Sequence, residues 1–334
     1  MKRPTLTDIA RRVGVTKMTV SRALRGGPYV SAELRQKIAR AAVELGYKPD
    51  PEITRLMSHL RLGRAKAAPR TLAFVWSEND PADAEGSSWS RRLVSGAHQQ
   101  AARLGFALEE FHLAVRGMSG RRLSTILETR GITGFILSPL LSRSRGHVRM
   151  SWEKFSSVVI GLGYARPALH RVHHHHFLGM MNAMRQLRKA GWRRIGFYSG
   201  STIDERMYRA WSASFLAHHP LPRPEGLLAL RQTTSRADFL AWIKAEQPEI
   251  VIDAGHIVQD WLKAVPEARR PLHVTLAWRP DQAQVPGIDQ QAEELGASAV
   301  DLLVAQEQQH QRGVPAVPRI VMTEGLWRGK LPSR

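Results

Sequence analysis

The sequence predicts a small all-α unit over residues 1–49, followed by a larger α/β domain of two lobes, each built on a parallel sheet. Three observations carry that prediction. Between Thr5 and Tyr47 apolar residues recur at helical spacing in three short blocks. After Pro69 apolar, β-rich runs alternate with helical runs, and the alternation restarts midway, as two successive αβ halves would. The charge is also uneven: of the formal net +20 in 334 residues, residues 1–70 hold 16 Lys and Arg against 5 Asp and Glu. Such a surface attracts polyanions, and its N-terminal part does so most strongly.

In the N-terminal unit, Leu6, Ile9, Ala10 and Val13 mark a first helix, Val20 and Leu24 a second, and Leu34, Ile38, Ala41 and Leu45 a third. Thr5 with Asp8 has the spacing of a capping box. Gly14 supplies a tight turn, Thr16 is a good N-cap, and Gly26, Gly27 and Pro28 stop the second helix. A helix, a short turn with Gly and a second helix is the helix-turn-helix plan, whose second helix enters the major groove of DNA. With Val20, Ala23 and Leu24 turned inward, Thr16, Lys17, Met18, Thr19, Ser21, Arg22 and Arg25 are left outside. Arg22 can bond guanine through two donors, and Met18 offers apolar contact to a thymine methyl. Thr5, Thr7 and Ser31 are placed to bind phosphates, with Tyr29 counted among the DNA contacts.

The run TLTDIARRVGVTKMTVSRALRGGPYVSAELRQKIARAAVELGYKPD resembles the DNA-binding headpiece of the lactose repressor family along its whole length. The resemblance includes TVSR in the recognition helix and V-S-x-x-x-R at the start of the third. Where that family usually has Asn near the end of the recognition helix, this chain has Arg25. The resemblance implies a hinge helix and linker over residues 50–70, which folds when two subunits sit on operator DNA. Leu56 falls at the family's minor-groove wedge, with Leu60 one turn later in reserve and Ile53 where the family has a small residue. Asp50 and Pro51 suit the start of that helix.

The remainder, residues 71–334, resembles the effector domain of the same family, a two-lobed, type I periplasmic-binding-protein-like fold. The resemblance is clearest in LRKAGWRRIGFYSG, GIDQQAEELGASAVDLL and RGVPAVPRIVMTEG. It places an N-lobe at about 71–162 and 289–313 and a C-lobe at about 163–288 and 314–330. Strand ends facing a cleft between such lobes make a small-molecule site. The expected effector residues are Trp76, Trp89, Ser138, Tyr164, Arg206, Trp211, His256, Trp278 and Asp289. Arg206, in the loop after YSG, matches the arginine that grips hydroxyls or carboxylate in relatives, and its donor fork suits either. The Trp faces suit the apolar side of a sugar ring.

Three departures bear on the effector. The family's Asp-Asn after the crossover is His175-His176 here, its Asn-Asp after IVID is Gly255-His256, and its late acidic pair aligns with Trp278-Arg279. Carboxylates are lost and cations or imidazoles gained, which widens the expected effectors from sugars to sugar acids and sugar phosphates.

His173 to His176 run together, yet adjacent side chains point different ways and cannot all ligate one ion, so no metal or cofactor is expected. With 0 Cys there are no disulfides or thiol chemistry. No HExxH, nucleophile elbow or P-loop occurs, which leaves an enzyme or a ligand-binding protein without a regulatory role as the alternative reading. No apolar run approaches the ~18 residues of a membrane span, and MKRPTLTDIARRV lacks a secretion signal, so a cytoplasmic protein is expected. The sum is a DNA-binding transcriptional repressor, acting as a homodimer on double-stranded operator DNA and controlled by a carbohydrate-related effector.

Overall fold

The computed structural model describes residues 4–24, 30–47, 69–77, 88–140, 148–164, 166–255 and 257–332. The expected contacts Arg25, Tyr29, Leu56 and His256, and the hinge segment around them from 50 to 68, lie outside these residues.

The N-terminal unit consists of α1 (Leu6–Val13), α2 (Lys17–Leu24) and α3 (Ala32–Glu44). Each start is fixed by a hydroxyl residue. The Asp8 carboxylate accepts from the Thr5 amide at 2.8 Å and the Thr5 hydroxyl at 2.7 Å. Thr16 Oγ1 accepts from the Thr19 amide at 3.1 Å, and Ser31 Oγ from the Leu34 amide at 3.3 Å. Gly14 ends α1 at φ 77°, a left-handed conformation that a side chain would strain. Ile9, Val20 and Ile38 are fully buried where the three helices meet, with Ala10, Ala23 and Ala41 around them. Burying each branched side chain contributes roughly 1.5–3 kcal/mol, and each cap about 1 kcal/mol, so in so small a core the two kinds of contribution are comparable. Leu24 departs from expectation: it is 38% exposed, because it closes α2 one turn beyond Val20 and gains little from the packed interior.

In the α/β domain the strands are β1 (Arg70–Trp76), β2 (Phe106–His112), β3 (Gly134–Leu137), β4 (Ser156–Ile160), β5 (His170–His174), β6 (Ile195–Gly200), β7 (Leu228–Arg231), β8 (Ile250–Asp253), β9 (Leu272–Thr275), β10 (Gly287–Asp289), β11 (Ile320–Thr323) and β12 (Leu326–Arg328). The helices are α4 (Ser88–Arg103), α5 (Gly120–Thr129), α6 (His176–Lys189), α7 (Ser201–Arg206), α8 (Ala210–His218), α9 (Arg236–Glu246), α10 (Gln259–Leu262) and α11 (Ala292–Gln309). Among the described residues they form two six-stranded sheets, ordered β11-β5-β4-β3-β1-β2 and β12-β10-β9-β8-β6-β7. The first is parallel throughout; in the second only β12 runs antiparallel, against β10.

Strands buried on both faces need apolar residues at every position, which explains the unbroken runs LAFVW and IVI. Leu72, Phe74 and Trp76 pack against α4 and α11, while Ala73, Val75 and Phe135 pack against α5 on the other face. The two helices of the first layer touch through glycine. A Cβ on Gly96 would sit 2.0 Å from the Glu293 carbonyl oxygen, and one on Gly296 2.0 Å from that of Leu93.

The lobe limits differ from those expected. Residues 170–174, assigned above to the second lobe, form β5 in the first sheet, pairing with β4 from Val158 to Ile160. Residues 320–323, also assigned to the second lobe, return to the first sheet beside β5. Asp289, assigned to the first lobe, ends β10 of the second sheet. The chain therefore crosses after His174, after Asp289 and between Thr323 and Leu326. The crossings are tied together: the His175 amide donates to the Thr323 carbonyl at 2.9 Å, and the Gln291 side-chain amide to the Glu324 carbonyl at 2.6 Å.

Candidate functional site

Two regions hold the expected site residues. On the N-terminal unit, Thr16, Lys17, Met18 and Arg22 are exposed, with Thr19 and Ser21 half-buried, while Val20 and Ala23 hold the opposite side of α2 in the core. Met18 is 64% exposed, an apolar side chain left in water on the same surface as Lys17 and Arg22. Thr7 is exposed at the start of α1, and Thr5 and Ser31 occupy the N-caps. Three helix N-termini and a set of cations thus belong to one unit, and helix N-termini and exposed cations both attract phosphate groups.

The second region gathers where the strands of both sheets end, and there the expected residues fall into three groups. Ser138, after β3, and Tyr164, after β4, are buried beside the half-buried Ser77, which sequence reasoning had not singled out. The Tyr164 hydroxyl donates to Ser77 Oγ, and the Ser77 amide to Ser138 Oγ at 3.2 Å. Arg206 and Trp211 form the second group, around His176. Trp211 meets the His176 ring edge-on at 4.8 Å, and the Arg206 charge acts on the same imidazole. Arg206 does not sit in a loop: it closes the short helix α7, and the chain turns at Tyr208 and Arg209, both at positive φ, before α8 begins. The turn is held by Asp204, buried between α7 and α8, whose carboxylate accepts from the Ser212 amide at 3.1 Å and hydroxyl at 2.5 Å. Burial raises the pKa of Asp204, against those two bonds.

Trp278 and Asp289 make the third group. The Arg328 guanidinium lies over the Trp278 ring at 5.8 Å and reaches Asp289 Oδ2 at 3.3 Å. Asp289 also receives Arg92 of α4 at 3.1 Å, and Arg92 Nε contacts Glu293 at 2.6 Å. Asp289 therefore joins the two lobes by ion pairs. Only the fold brings Arg92 and Arg328 to it, since they lie 197 and 39 positions away along the chain.

Trp76 and Trp89 part company. The Trp76 ring packs with Phe74 in the core, and its indole N–H donates to Glu110 Oε2 at 2.7 Å, so it presents no face to a ligand. This corrects its expected role: the side-chain alternation of β1 turns Trp76 toward α4 along with Leu72 and Phe74. Trp89, on the first turn of α4, keeps a buried indole N–H without a partner.

The histidine run lies at the first crossing and is largely buried. His173 stacks on His176 with ring centroids 6.1 Å apart, and His174 meets His176 edge-on at 5.2 Å. His175 caps α6, its Nδ1 accepting from the Leu178 amide at 3.3 Å. Burial is the main cause holding His174 down to about 4 and His176 well below the usual imidazole range, with neighbouring imidazoles adding to it. Among the described residues no group of three His, Asp or Glu side chains is arranged to hold a metal ion. A shallow hollow of about 680 Å³, lined by Trp192, Lys263, Arg269 and His273 among others, lies by the opposite ends of β8 and β9, away from these groups.

Comparison with known proteins adds four findings. The family model for bacterial regulatory proteins of the lacI family matches residues 5–50. The HTH-type transcriptional regulator GntR of Escherichia coli (strain K12) is 65% identical over 49 residues, a match covering 15% of this chain and 15% of that protein's length. The HTH-type transcriptional regulator AscG of the same strain is 25% identical over 298 residues, 85% of this chain and 82% of AscG. In fold, the chain is similar to the transcriptional regulator CelR in complex with cellobiose, with TM-score 0.56 and 21% identity over 98% of this chain and 99% of that one.

Proposed function

We propose that the chain, whose residues 5–50 match the lacI family of bacterial regulatory proteins and which aligns with AscG over 85% of its length, is a sequence-specific DNA-binding transcriptional repressor, controlled by a small carbohydrate-related effector held where the strands of its two lobes end. The observation that carries this reading is the surface of α2: Lys17, Met18 and Arg22 stand exposed while Val20 and Ala23 anchor the helix. A recognition helix needs just that division, since its buried side fixes the angle at which the exposed side meets base edges.

A homodimer reads a two-fold operator, one α2 in each half-site, with phosphates held by the helix N-termini and the N-terminal excess of Lys and Arg. The effector site draws on Ser138, Tyr164, Trp89, Arg206, Trp211 and Trp278. Its occupation alters the relation of the lobes through the three crossings, and with it the spacing of the two headpieces. Catalysis has no part in this reading: Asp289, at the end of β10, is held by ion pairs, and Asp204, in α7, by hydrogen bonds from Ser212. CelR, whose structure holds cellobiose, supports a sugar-like effector.

The test is selection of binding sites by the purified full chain from a random duplex pool at physiological salt. Recovery of an inverted-repeat sequence is the expected result. Binding with no preference over random competitor would overturn the regulatory reading.

A further inference from the structure

The crossing region leaves several buried hydrogen-bond donors without a partner, beside Thr323 Oγ1 and the Nδ1 atoms of His174 and His176. Its carboxylates are engaged: Asp289 by Arg92 and Arg328, Asp253 by His273 at 3.2 Å, and Asp204 by Ser212. The buried polar atoms without a partner there include the indole N–H groups of Trp89 and Trp278 and Arg279 Nε, all donors only. Buried polar groups in folded proteins are almost always satisfied, so a cluster of orphaned donors points to a missing acceptor.

Arg171 says what kind of acceptor. It stands on β5 two residues before His173, is only 8% exposed, and donates from Nη2 to the Tyr164 carbonyl at 3.2 Å. Its Nη1 is buried without a partner, and none of the ion pairs among the described residues includes it. A buried guanidinium whose described contact is a neutral carbonyl is costly, and an anion would offset that cost. Two positive charges flank the His173–His176 stack: Arg171 acts on His173 and Arg206 acts on His176. Burial is what chiefly keeps both imidazoles neutral, with the two arginines adding to it, so the stack adds no charge of its own and can still exchange hydrogen bonds with a ligand.

We propose that the effector is a polyhydroxylated anion, a sugar acid or a sugar phosphate, whose charged group seats against the His173–His176 stack between Arg171 and Arg206. This rests on the reading above that the effector binds where the strands end. The anionic group takes the donors of both arginines, and the hydroxyls meet the indole N–H groups of Trp89 and Trp278. An anion held by Arg171 on the first sheet and Arg206 beyond the crossing ties the lobes together, which makes the charge itself the element that reports occupancy.

The experiment is thermal unfolding of the full chain with three sets of probes: aldonates and uronates, hexose 6-phosphates, and the parent neutral hexoses. The expected result is that the wild-type protein is stabilised by members of one anionic set and by none of the neutral hexoses, and the set that acts tells carboxylate from phosphate. Arg171→Met should melt no lower than wild type without ligand, since it removes an uncompensated buried charge. It should bind the active anion about tenfold or more weakly. Arg171→Lys, which keeps the charge and loses the fork, should fall between them. A neutral hexose that stabilises as much as its acid, no shift from any anion, or wild-type affinity in both Arg171 variants would overturn the proposal. If Arg171→Met does not fold, the wild-type probe sets and Arg171→Lys decide alone. Loss of operator preference in the separate site-selection experiment would sink the regulatory reading and leave the anion site standing.

Discussion

The headpiece and the crossing region handle positive charge in opposite ways. On the headpiece, Lys17 and Arg22 stand in water, where an isolated cation costs nothing and acts at a distance on a polyanion. At the crossing, Arg171 and Arg92 are withdrawn from water, and each imposes a requirement on its surroundings. Arg92 meets that requirement with Asp289 and Glu293, and Arg171 does not. The difference teaches where specificity comes from. An exposed cation supplies affinity to any phosphate, and specificity needs side chains that reach base edges; a buried cation selects its partner simply by being costly when left alone.

The largest test of that contrast removes a buried counter-charge. Asp289→Ala leaves Arg92 with Glu293 alone and Arg328 partly in water without its counter-charge, and should lower stability by about 1.5–3 kcal/mol, read as a fall in the melting temperature of the α/β domain. A fall no larger than that of a surface substitution would show that the ion pairs add little to lobe contact. Second comes acid. His174, held down to about 4, and His176, also held well below the usual imidazole range by burial, are neutral when folded but protonate near 6.5 when unfolded. Their contribution is complete above pH 6.5 and is lost as pH falls from there toward 4, on the order of a few kcal/mol. His174→Asn should flatten that slope in melting temperature against pH, and an unchanged slope would count against it.

Third, on the headpiece, Arg22→Ala should cost about 1–3 kcal/mol of operator binding and relax preference at one base position. The α/β domain should melt as before, and a uniform loss across all sequences would reduce Arg22 to a phosphate contact. The smallest effect belongs to Thr16→Ala, which removes the cap on α2 and should cost about 1 kcal/mol of headpiece stability, visible as earlier loss of helical circular dichroism. No change would mean that the packing of Val20 alone fixes that helix.

Much of the molecule was legible because local rules act without help. Thr5 with Asp8, Gly14, Thr16 and Ser31 announce the headpiece helices, and unbroken apolar runs announce strands such as β1 and β8. Strand β5 was misassigned for the opposite reason. HRVHH carries no apolar pattern, and its burial depends on β4 and β11, the latter from a segment more than a hundred residues away. Trp76 was misread because position at a strand end does not reveal which face a side chain occupies, and Arg206 because the turn at Tyr208 and Arg209 depends on the buried Asp204 contact.

What the sequence determined by itself is the exposed helix α2, its caps and the alternation of strand and helix, since these follow from neighbours within a few positions. Which lobe owns each segment, and that Arg92, Asp289 and Arg328 converge while Arg171 is left facing a stack of neutral imidazoles, was decided by the tertiary structure. Burial and charge compensation depend on groups brought together from distant parts of the chain, and no local spacing encodes that meeting.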